Sequence, residues 1–382
     1  MNIAAVRLTA ITLCVLGFVV ALDLSSQDPS HGAGVRTEAA KTSSWRASYM
    51  PPAKHVFVIN IENEGYDQTW GRGASAEDPY LAKTLRRKGV LMNYYFGTAH
   101  NSLPNYIAQI SGQGPNQETQ GDCQKFSEFT STGTQAPGQE KGTGCVLPAS
   151  VGSLPRQMTE HHLVWKGYMQ DIGTPCHHPA VGAVDDTQKA TAANSYATRH
   201  NPFMYFHAII DDPDYCARHV TNLTRLVHDL KKASWTPNLA YITPDLCTDG
   251  HDAPCADGRP GGLTSVDHWM QQWVPQILES EAFRKDGMLI ITADEAENPS
   301  ESEACCGEDA SANSPKPGIT GPGGGRIGAL VISRWTEPNT WSTTPYNHYS
   351  LLGSIEDMFG LGRLGYARTV PTTFGADVFN AG

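Results

Sequence analysis

The hydrophobic pattern of the chain alternates between short, continuous apolar runs and longer segments whose apolar residues recur every three or four positions. The continuous runs are rich in Val, Ile, Leu and aromatic residues, which is typical of strands that are buried on both faces of a sheet. The predicted strands are residues 55–61, 162–169, 238–244, 287–294 and 326–333.

Helical periodicity predicts the elements that alternate with these strands. The predicted helices are residues 79–89, 220–233, 264–283 and 348–361, and a further apolar period begins at Ser102. This alternation predicts an α/β fold with a mostly parallel central sheet and helices on both of its faces. Residues 113–150 and 299–324 are rich in Gly, Pro and Cys, and we expect them to be excursions from this core.

The first 22 residues have the pattern of an export signal. Arg7 precedes the uncharged, mostly apolar run 8–22, which is shorter than the roughly 20 residues that span a bilayer. We expect cleavage after Ala21, with an uncleaved N-terminal anchor as the alternative. Residues 23–53 lack an apolar period and are predicted to be a flexible linker, and residues 54–382 are predicted to form one folded domain.

Composition agrees with export and disfavours one class of partner. The 382-residue chain has a formal net charge of −11, which argues against a nucleic-acid partner. Eight of the nine cysteines follow the N-terminal segment, and an even number in an exported chain favours disulfides. Many pairings are open, and the short intervening loops favour Cys247 with Cys255 and Cys123 with Cys145.

Polar and acidic residues follow three of the predicted strands, at the carboxyl ends where α/β sheets form their ligand sites. These residues are Glu62, Asn63, Asp245, Asp249, His251, Asp252, Asp294, Glu295 and Glu297. A single acidic residue after a strand is usually a helix cap or a turn residue. Carboxylates from three strands that meet at one edge would repel one another unless a cation neutralised them, so the pattern predicts a divalent metal ion.

Ser102, in the segment HNSLPNYIAQISG, has two interpretations. Serine is a preferred N-cap residue where a helix begins. Serine is also a nucleophile in many enzymes, although the Gly-x-Ser-x-Gly context of the α/β-hydrolases is absent here. His200 and His348 are similarly open, because each is compatible with an ordinary surface position or the first turn of a helix.

Six segments, taken in order, resemble the secreted bacterial acid phosphatases and phospholipase C-type phosphoesterases, a branch of the alkaline phosphatase superfamily. They are HVFVINIENEGYDQTWG, HNSLPNY, RHNPFMYF, DLCTDGHD, LIITADEAE and NHYSLLGSIEDMFGL. Each segment alone is weak, but six in the family's order are specific. The resemblance runs from about His55 to Gly362 and implies an alkaline phosphatase-like fold, with residues 54–382 as the phosphoesterase catalytic domain.

The resemblance implies roles for individual residues. Ser102 matches the phosphorylated nucleophile, and His200 and His251 match histidines that contact phosphate or protonate the leaving group. The implied metal ligands are Glu62, Asn63, Asp294 and Glu295. The implied substrate-binding residues are His100, Asn105, Arg199 and His348. Arg199 departs from relatives that have a histidine at this position, and an arginine cannot shuttle a proton.

The expected centre holds one divalent metal ion of unknown identity, with a second ion at Asp249, His251 or His348 as the alternative. Nearby carboxylates favour a protonated imidazole, so we expect Asp249 and Asp252 to raise the pKa of His251 and make it the general acid. We expect Arg199 to lower the pKa of His200, which favours phosphate binding by His200.

The resemblance therefore implies an exported, metal-dependent acid phosphatase that hydrolyses phosphate monoesters, with phosphoinositides among the conceivable substrates, through a phosphoserine intermediate. A phospholipase C-type phosphodiesterase is the alternative with the same fold. A non-catalytic exported binding protein on this fold is the alternative from another class. The expected location is secreted or extracytoplasmic, without stable membrane insertion after signal cleavage.

Overall fold

The computed structural model describes residues 50–71, 76–308, 313–314 and 316–381. The predicted export signal, and all of the predicted linker before residue 50, lie outside the described residues, and the domain boundary at residue 54 stays a prediction. Within the described ranges, no helix is long and apolar enough to cross a membrane.

A central eight-stranded sheet organises the described residues, with the strand order β11-β2-β10-β9-β1-β8-β6-β7. Its strands are β1 (His55–Ile61), β2 (Val90–Met92), β6 (Trp165–Met169), β7 (Val220–Asn222), β8 (Leu239–Thr243), β9 (Gly287–Ala293), β10 (Ala329–Ser333) and β11 (Thr340–Ser342). Two smaller sheets pair β3 (Tyr95–Phe96) with β12 (Tyr346–Asn347), and β4 (Thr130–Gln135) with β5 (Gln139–Thr143).

The prediction of a mostly parallel sheet is confirmed. Strand β1 lies between β8 and β9 and is parallel to both. Strand β10 is antiparallel to β9 and to β2, whereas the other neighbouring pairs in this sheet are parallel. The apolar run 326–333 predicted a strand correctly, but an apolar run contains no information about the direction of its strand.

The helices cover both faces of the sheet, as predicted. They are α1 (Tyr66–Thr69), α2 (Ser102–Ser111), α3 (Gln117–Gln120), α4 (Leu154–Glu160), α5 (His207–Ile210), α6 (Pro213–His219), α7 (Arg225–Asp229), α8 (Gly262–Glu279), α9 (Glu281–Asp286) and α10 (His348–Phe359). On one face of β1, Asn60 Oδ1 accepts a hydrogen bond of 2.9 Å from Gln109 of α2. On the other face, the ring of Phe57 lies 6.4 Å from the ring of Phe283 in α9.

Three predicted helices differ from the observed elements. Residues 79–89 contain a π-helix, Tyr80–Leu85, followed by a 3₁₀ turn, Arg86–Lys88. The segment 220–233 begins with β7, because Val220 pairs with Gly167 of β6, and α7 follows. The segment 264–283 spans two helices, because the chain is extended at Ser280 between α8 and α9.

Four disulfides link the cysteines outside the N-terminal segment. They are Cys123–Cys145, Cys176–Cys216, Cys247–Cys255 and Cys305–Cys306. The two pairs that short loops favoured are therefore confirmed. Cys123–Cys145 encloses the hairpin of β4 and β5, which lies in the predicted excursion 113–150, and Cys247–Cys255 encloses the segment that carries His251.

Candidate active site

The carboxyl ends of β1, β8 and β9 bring three acidic side chains to one edge of the sheet. Glu62 directly follows β1, Asp294 directly follows β9, and Asp249 lies in the loop after β8. Because β1 is parallel to both β8 and β9, the carboxyl ends of the three strands are adjacent. Each of the three residues has 0% of its surface exposed. The predicted cluster of strand-end carboxylates thus forms in the interior, where water cannot screen its charges.

Ser102 lies beside this cluster, at the start of α2. The N-cap position belongs to Asn101, so the interpretation of Ser102 as the helix cap is wrong. The hydroxyl of Ser102 instead donates a hydrogen bond of 2.8 Å to Oε2 of Glu62. The next backbone N–H, that of Leu103, is satisfied by Oδ1 of Asp122 at 3.0 Å. The serine side chain is therefore committed to the carboxylate cluster and not to the helix backbone.

Tyr106 is a site residue that the sequence analysis missed. It lies one helical turn after Ser102 on the same face of α2, and its hydroxyl donates a hydrogen bond to Oε1 of Glu62. Its ring stacks on the ring of His200, with 5.5 Å between the centroids and an interplanar angle of 11°. The spacing of four residues from Ser102 was a signal that could have identified it.

His200 lies between two of the carboxylates. Its Nδ1 is 3.1 Å from Oδ2 of Asp249, and its Nε2 is 3.4 Å from Oε2 of Glu62. One ligating atom from each of Glu62, His200 and Asp249 lies within 4.8 Å of the others, so the three could hold a metal ion. The structure places His200 inside the carboxylate cluster, and its predicted contact with phosphate stays a prediction.

The electrostatics of the cluster fit a bound cation. Burial raises the pKa of Glu62 well above its usual value, and repulsion from Asp294 and Asp249 raises it further. Burial likewise raises the pKa of Asp249 well above its usual value and raises that of Asp294. Oδ2 of Asp294 and Nε2 of His200 are buried without a hydrogen-bond partner among the described residues. A divalent ion would supply the charge and the missing partners.

Of the four predicted metal ligands, Asn63 contacts the carboxylate cluster through its backbone and Glu295 contacts His100. The backbone of Asn63 is left-handed, with φ 52°, its N–H donates to Oδ1 of Asp294 at 3.0 Å, and the residue lines a cavity. The carboxylate of Glu295 contacts Nδ1 of His100. Neighbouring residues after a strand direct their side chains differently, so Asp294 joins the cluster whereas Glu295 meets His100. Their assignment as ligands stays a prediction.

Asn105 and His348, which were predicted to bind substrate, contact backbone groups around the site. Asn105 Oδ1 accepts from the backbone N–H groups of Thr98 and Ala99 at 2.8 and 3.0 Å, which fixes the loop before Ser102. His348 is buried, its Nε2 lies 2.6 Å from the carbonyl oxygen of Asp294, and burial lowers its pKa to about 4.

Arg199 and His251 form the other side of the site. Nη2 of Arg199 lies 3.0 Å from Nε2 of His251, and Nδ1 of His251 lies 2.8 Å from Oδ1 of Asp252. Because a guanidinium only donates, Nε2 accepts and Nδ1 donates, which describes a neutral imidazole. Burial lowers the pKa of His251, and Arg199 lowers it further, against the effect of Asp252. The expected rise in this pKa is therefore wrong.

Burial is also the main cause that lowers the pKa of His200 well below its usual value, and Arg199 adds to it as predicted. His251 lines two cavities at the surface of the site. One, of about 540 Å³, is lined by Asn63 and by Glu64 with other acidic residues. The second, of about 550 Å³, is lined by Arg199 and Lys189.

Comparison with known proteins places the chain in a family. Residues 75–362 match the model of the Phosphoesterase family, so the chain belongs to that family. The predicted membership in a family of phosphoric ester hydrolases is thereby confirmed.

Curated relatives agree with this assignment. The chain is 26% identical over 333 residues to a phosphate-repressible acid phosphatase of Penicillium chrysogenum, covering 85% of this chain and 66% of the relative. It is 22% identical over 328 residues to a phosphatidylinositol-3-phosphatase of Mycobacterium tuberculosis, covering 85% of this chain and 83% of the relative. The chain thus spans about two thirds of the length of the first of these relatives.

The chain is also similar to solved structures. A protein of the alkaline phosphatase superfamily from Vibrio parahaemolyticus is 10% identical, with a TM-score of 0.48, over 82% of this chain and 68% of that one.

Proposed function

We propose that this protein is an exported, metal-dependent phosphoesterase that hydrolyses phosphate monoesters through a phosphoserine intermediate at Ser102. The observation that carries the proposal is the hydrogen bond of 2.8 Å from Ser102 Oγ to Glu62 at the start of α2. Membership in the Phosphoesterase family and the relatives named acid phosphatase support phosphate esters as substrates. The four disulfides favour an oxidising, extracytoplasmic location.

Glu62, His200, Asp249 and Asp294 are the side chains that would hold the metal ion. Bound there, a divalent ion would lower the pKa of the serine hydroxyl and neutralise charge on the phosphoryl oxygens. Glu62 fixes the direction of the Ser102 hydroxyl through their hydrogen bond. Tyr106 in turn fixes Glu62, because it donates to the other carboxylate oxygen.

The start of α2 and Arg199 are the groups proposed to receive the phosphate. The first turn of a helix favours a negative charge, and α2 has ten residues. Arg199 lines the cavity of about 550 Å³ and presents a guanidinium suited to paired hydrogen bonds with phosphate oxygens. Asp122, which accepts from the N–H of Leu103, lies 3.9 Å from Nε of Arg199 and links the two groups.

The reaction has two steps, and water is the only reactant besides the phosphate ester. In the first, the Ser102 hydroxyl gives up its proton as Oγ forms a bond to phosphorus, the bond to the ester oxygen breaks, and the leaving oxygen takes up a proton to become the alcohol. In the second, water attacks the phosphoserine and releases inorganic phosphate with the free serine. His251 is the proposed proton donor, because its side chain is 30% exposed whereas that of His200 is 3% exposed. For this role its Nε2 must take up a proton and turn from Arg199 to the leaving oxygen.

A substrate panel tests the proposal. We expect the protein to hydrolyse p-nitrophenyl phosphate in the presence of a divalent metal and to lose activity on chelation. The diester p-nitrophenyl phosphorylcholine should react more slowly than p-nitrophenyl phosphate. Faster hydrolysis of the diester would establish the phosphodiesterase alternative, and no hydrolysis of any ester with any metal would establish the non-catalytic alternative. A phosphoinositide belongs in the panel because one relative is named a phosphatidylinositol-3-phosphatase.

A further inference from the structure

The cavity of about 540 Å³ beside His251 contains carboxylates that the proposed reaction does not use. Its acidic lining residues are Glu64, Asp67, Glu77 and Glu297. No lysine or arginine among the described residues lines it. Because Asn63 and His251 also line it, this cavity adjoins the proposed phosphoryl site and is open to the group that leaves from phosphorus.

Glu64 is the residue that distinguishes this cavity from an ordinary acidic surface. It is only 8% exposed, and its carboxylate has no hydrogen bond or ion pair with any described residue. A Cβ atom placed on Gly250 would lie 3.0 Å from Oε1 of Glu64, so the carboxylate lies against the segment between Asp249 and His251. A buried carboxylate without donors is costly, and a cationic ligand that donates hydrogen bonds would relieve that cost.

The spacing of these carboxylates does not suit a single metal ion. Among the described residues, two groups have three ligating atoms within 4.8 Å of one another, and Glu64 is in neither. Burial raises the pKa of Glu64 to about 9, and repulsion from Glu297 adds to the rise, so an ionised Glu64 needs a cation beside it. Separated carboxylates around a cavity of about 540 Å³ match an organic cation, whose N–H groups can reach more than one of them.

We propose that this cavity is the leaving-group subsite and that it selects phosphate monoesters of amino alcohols, whose primary ammonium group binds Glu64. The inference rests on the proposed function and adds no step to the reaction. The alcohol oxygen leaves beside His251 while the ammonium group, a few bonds away, occupies the acidic cavity. A primary ammonium fits better than a quaternary one, because only N–H groups donate the hydrogen bonds that Glu64 lacks.

The test compares kcat/KM of the metal-loaded protein for three monoesters of similar size. They are O-phosphoethanolamine, phosphocholine and n-propyl phosphate. We expect O-phosphoethanolamine to exceed n-propyl phosphate by roughly tenfold or more, the size of one charge-assisted hydrogen bond, with phosphocholine in between. Glu64→Gln, which keeps the shape and removes the charge, should lower the ratio of the first substrate to the third toward one.

Glu337→Gln is the matched control, because Glu337 is exposed and does not line the cavity, so its ratio should equal that of the wild type. Equal kcat/KM for O-phosphoethanolamine and n-propyl phosphate in the wild type would overturn the inference and leave the proposed function standing. A preference for phosphocholine over O-phosphoethanolamine would overturn the role of the N–H donors. If neither these esters nor p-nitrophenyl phosphate were hydrolysed, both proposals would fall together. The wild-type comparison needs no variant, so a variant that does not fold leaves the test intact.

Discussion

Ser102 and Glu62 are joined by a hydrogen bond of 2.8 Å between buried side chains that lie 40 residues apart in the chain. Glu62 directly follows the central strand β1, and Ser102 begins α2, so this contact joins the edge of the sheet to the first turn of a helix. Tyr106 binds the other oxygen of the same carboxylate. Glu62 therefore sets the direction of the Ser102 hydroxyl, and Tyr106 of the same helix holds the Glu62 carboxylate in place.

Tyr106→Phe should reduce catalysis without unfolding the protein. The variant loses the hydrogen bond to Glu62 and keeps the ring that stacks on His200, so the carboxylate is less well fixed. We expect kcat for p-nitrophenyl phosphate to fall roughly tenfold, which corresponds to one hydrogen bond to a charged group. Tyr94→Phe, at an exposed tyrosine, is the control. A Tyr106→Phe variant as active as the wild type would show that Glu62 needs no support from Tyr106.

Metal analysis distinguishes the ligand set in the structure from the set that the sequence predicted. Asp249→Asn removes a charge from the group of Glu62, His200 and Asp249, so we expect the metal content after dialysis to fall from about one ion per chain toward zero. Asn63→Gly preserves the left-handed backbone at φ 52° and should leave the metal content unchanged.

Elemental analysis of the dialysed proteins gives the metal content. Loss of metal in Asn63→Gly and its retention in Asp249→Asn would restore the predicted set. Near two ions per chain in the wild type would contradict a single centre.

Glu356 lies away from the site, and its buried carboxyl should make the free energy of unfolding depend on pH. The residue is fully buried in α10, and burial raises its pKa to about 9, against an unfolded value of about 4.3. The folded state therefore binds the proton more tightly, so this contribution to stability is complete at low pH. It is lost as the pH rises from the unfolded value toward the folded one.

Glu356→Gln cannot ionise and should gain stability relative to the wild type as the pH increases. We expect similar free energies of unfolding at pH about 4 and an advantage for the variant that grows by about 1.4 kcal/mol per pH unit, to about 5 kcal/mol at pH about 8. Thermal or urea unfolding at both pH values measures this difference. A difference that does not change with pH would show that Glu356 does not titrate between the two states.

Removal of either of two disulfides should affect the free energy of unfolding and kcat to different extents. Cys176–Cys216 spans 40 residues and Cys247–Cys255 spans 8, so loop entropy predicts losses of about 4 and about 2.5 kcal/mol on their removal. The short loop contains His251, so Cys247→Ala with Cys255→Ala should also lower kcat. Cys176→Ala with Cys216→Ala should mainly lower the free energy of unfolding. Urea unfolding and kcat measured on the same two proteins check this, and the opposite ranking of the two effects would refute it.

The elements that the sequence predicted best are those whose pattern is complete within the segment itself. The apolar runs of β1 and β9 are continuous because both faces of each strand are buried, and all seven residues of each are buried in the structure. The start of the segment 220–233 was assigned wrongly because β7 exists only through its pairing with β6, which lies about fifty residues earlier. Local periodicity cannot reveal such a partner.

The sequence predicted the positions of site residues at strand ends, but not the directions or charge states of their side chains. Strand ends located Glu62 and Asp294, because parallel strands bring their carboxyl ends to one edge. The direction of each side chain after a strand was not predictable, which is why Glu295 meets His100 and not the cluster. The charge state of His251 was also misjudged, because its neighbours in sequence are acidic, whereas burial in the fold and then the adjacent Arg199 lower its pKa.

Trapping the covalent intermediate tests the central claim most directly. The wild type and Ser102→Ala are mixed with p-nitrophenyl phosphate and metal, quenched in acid during turnover, digested and analysed by mass spectrometry. The account predicts phosphate on Ser102 of the wild type, no phosphorylated peptide from the variant, and a loss of several orders of magnitude in kcat with the fold intact. Phosphate on another residue, or a Ser102→Ala variant that retains most of its activity, would contradict it.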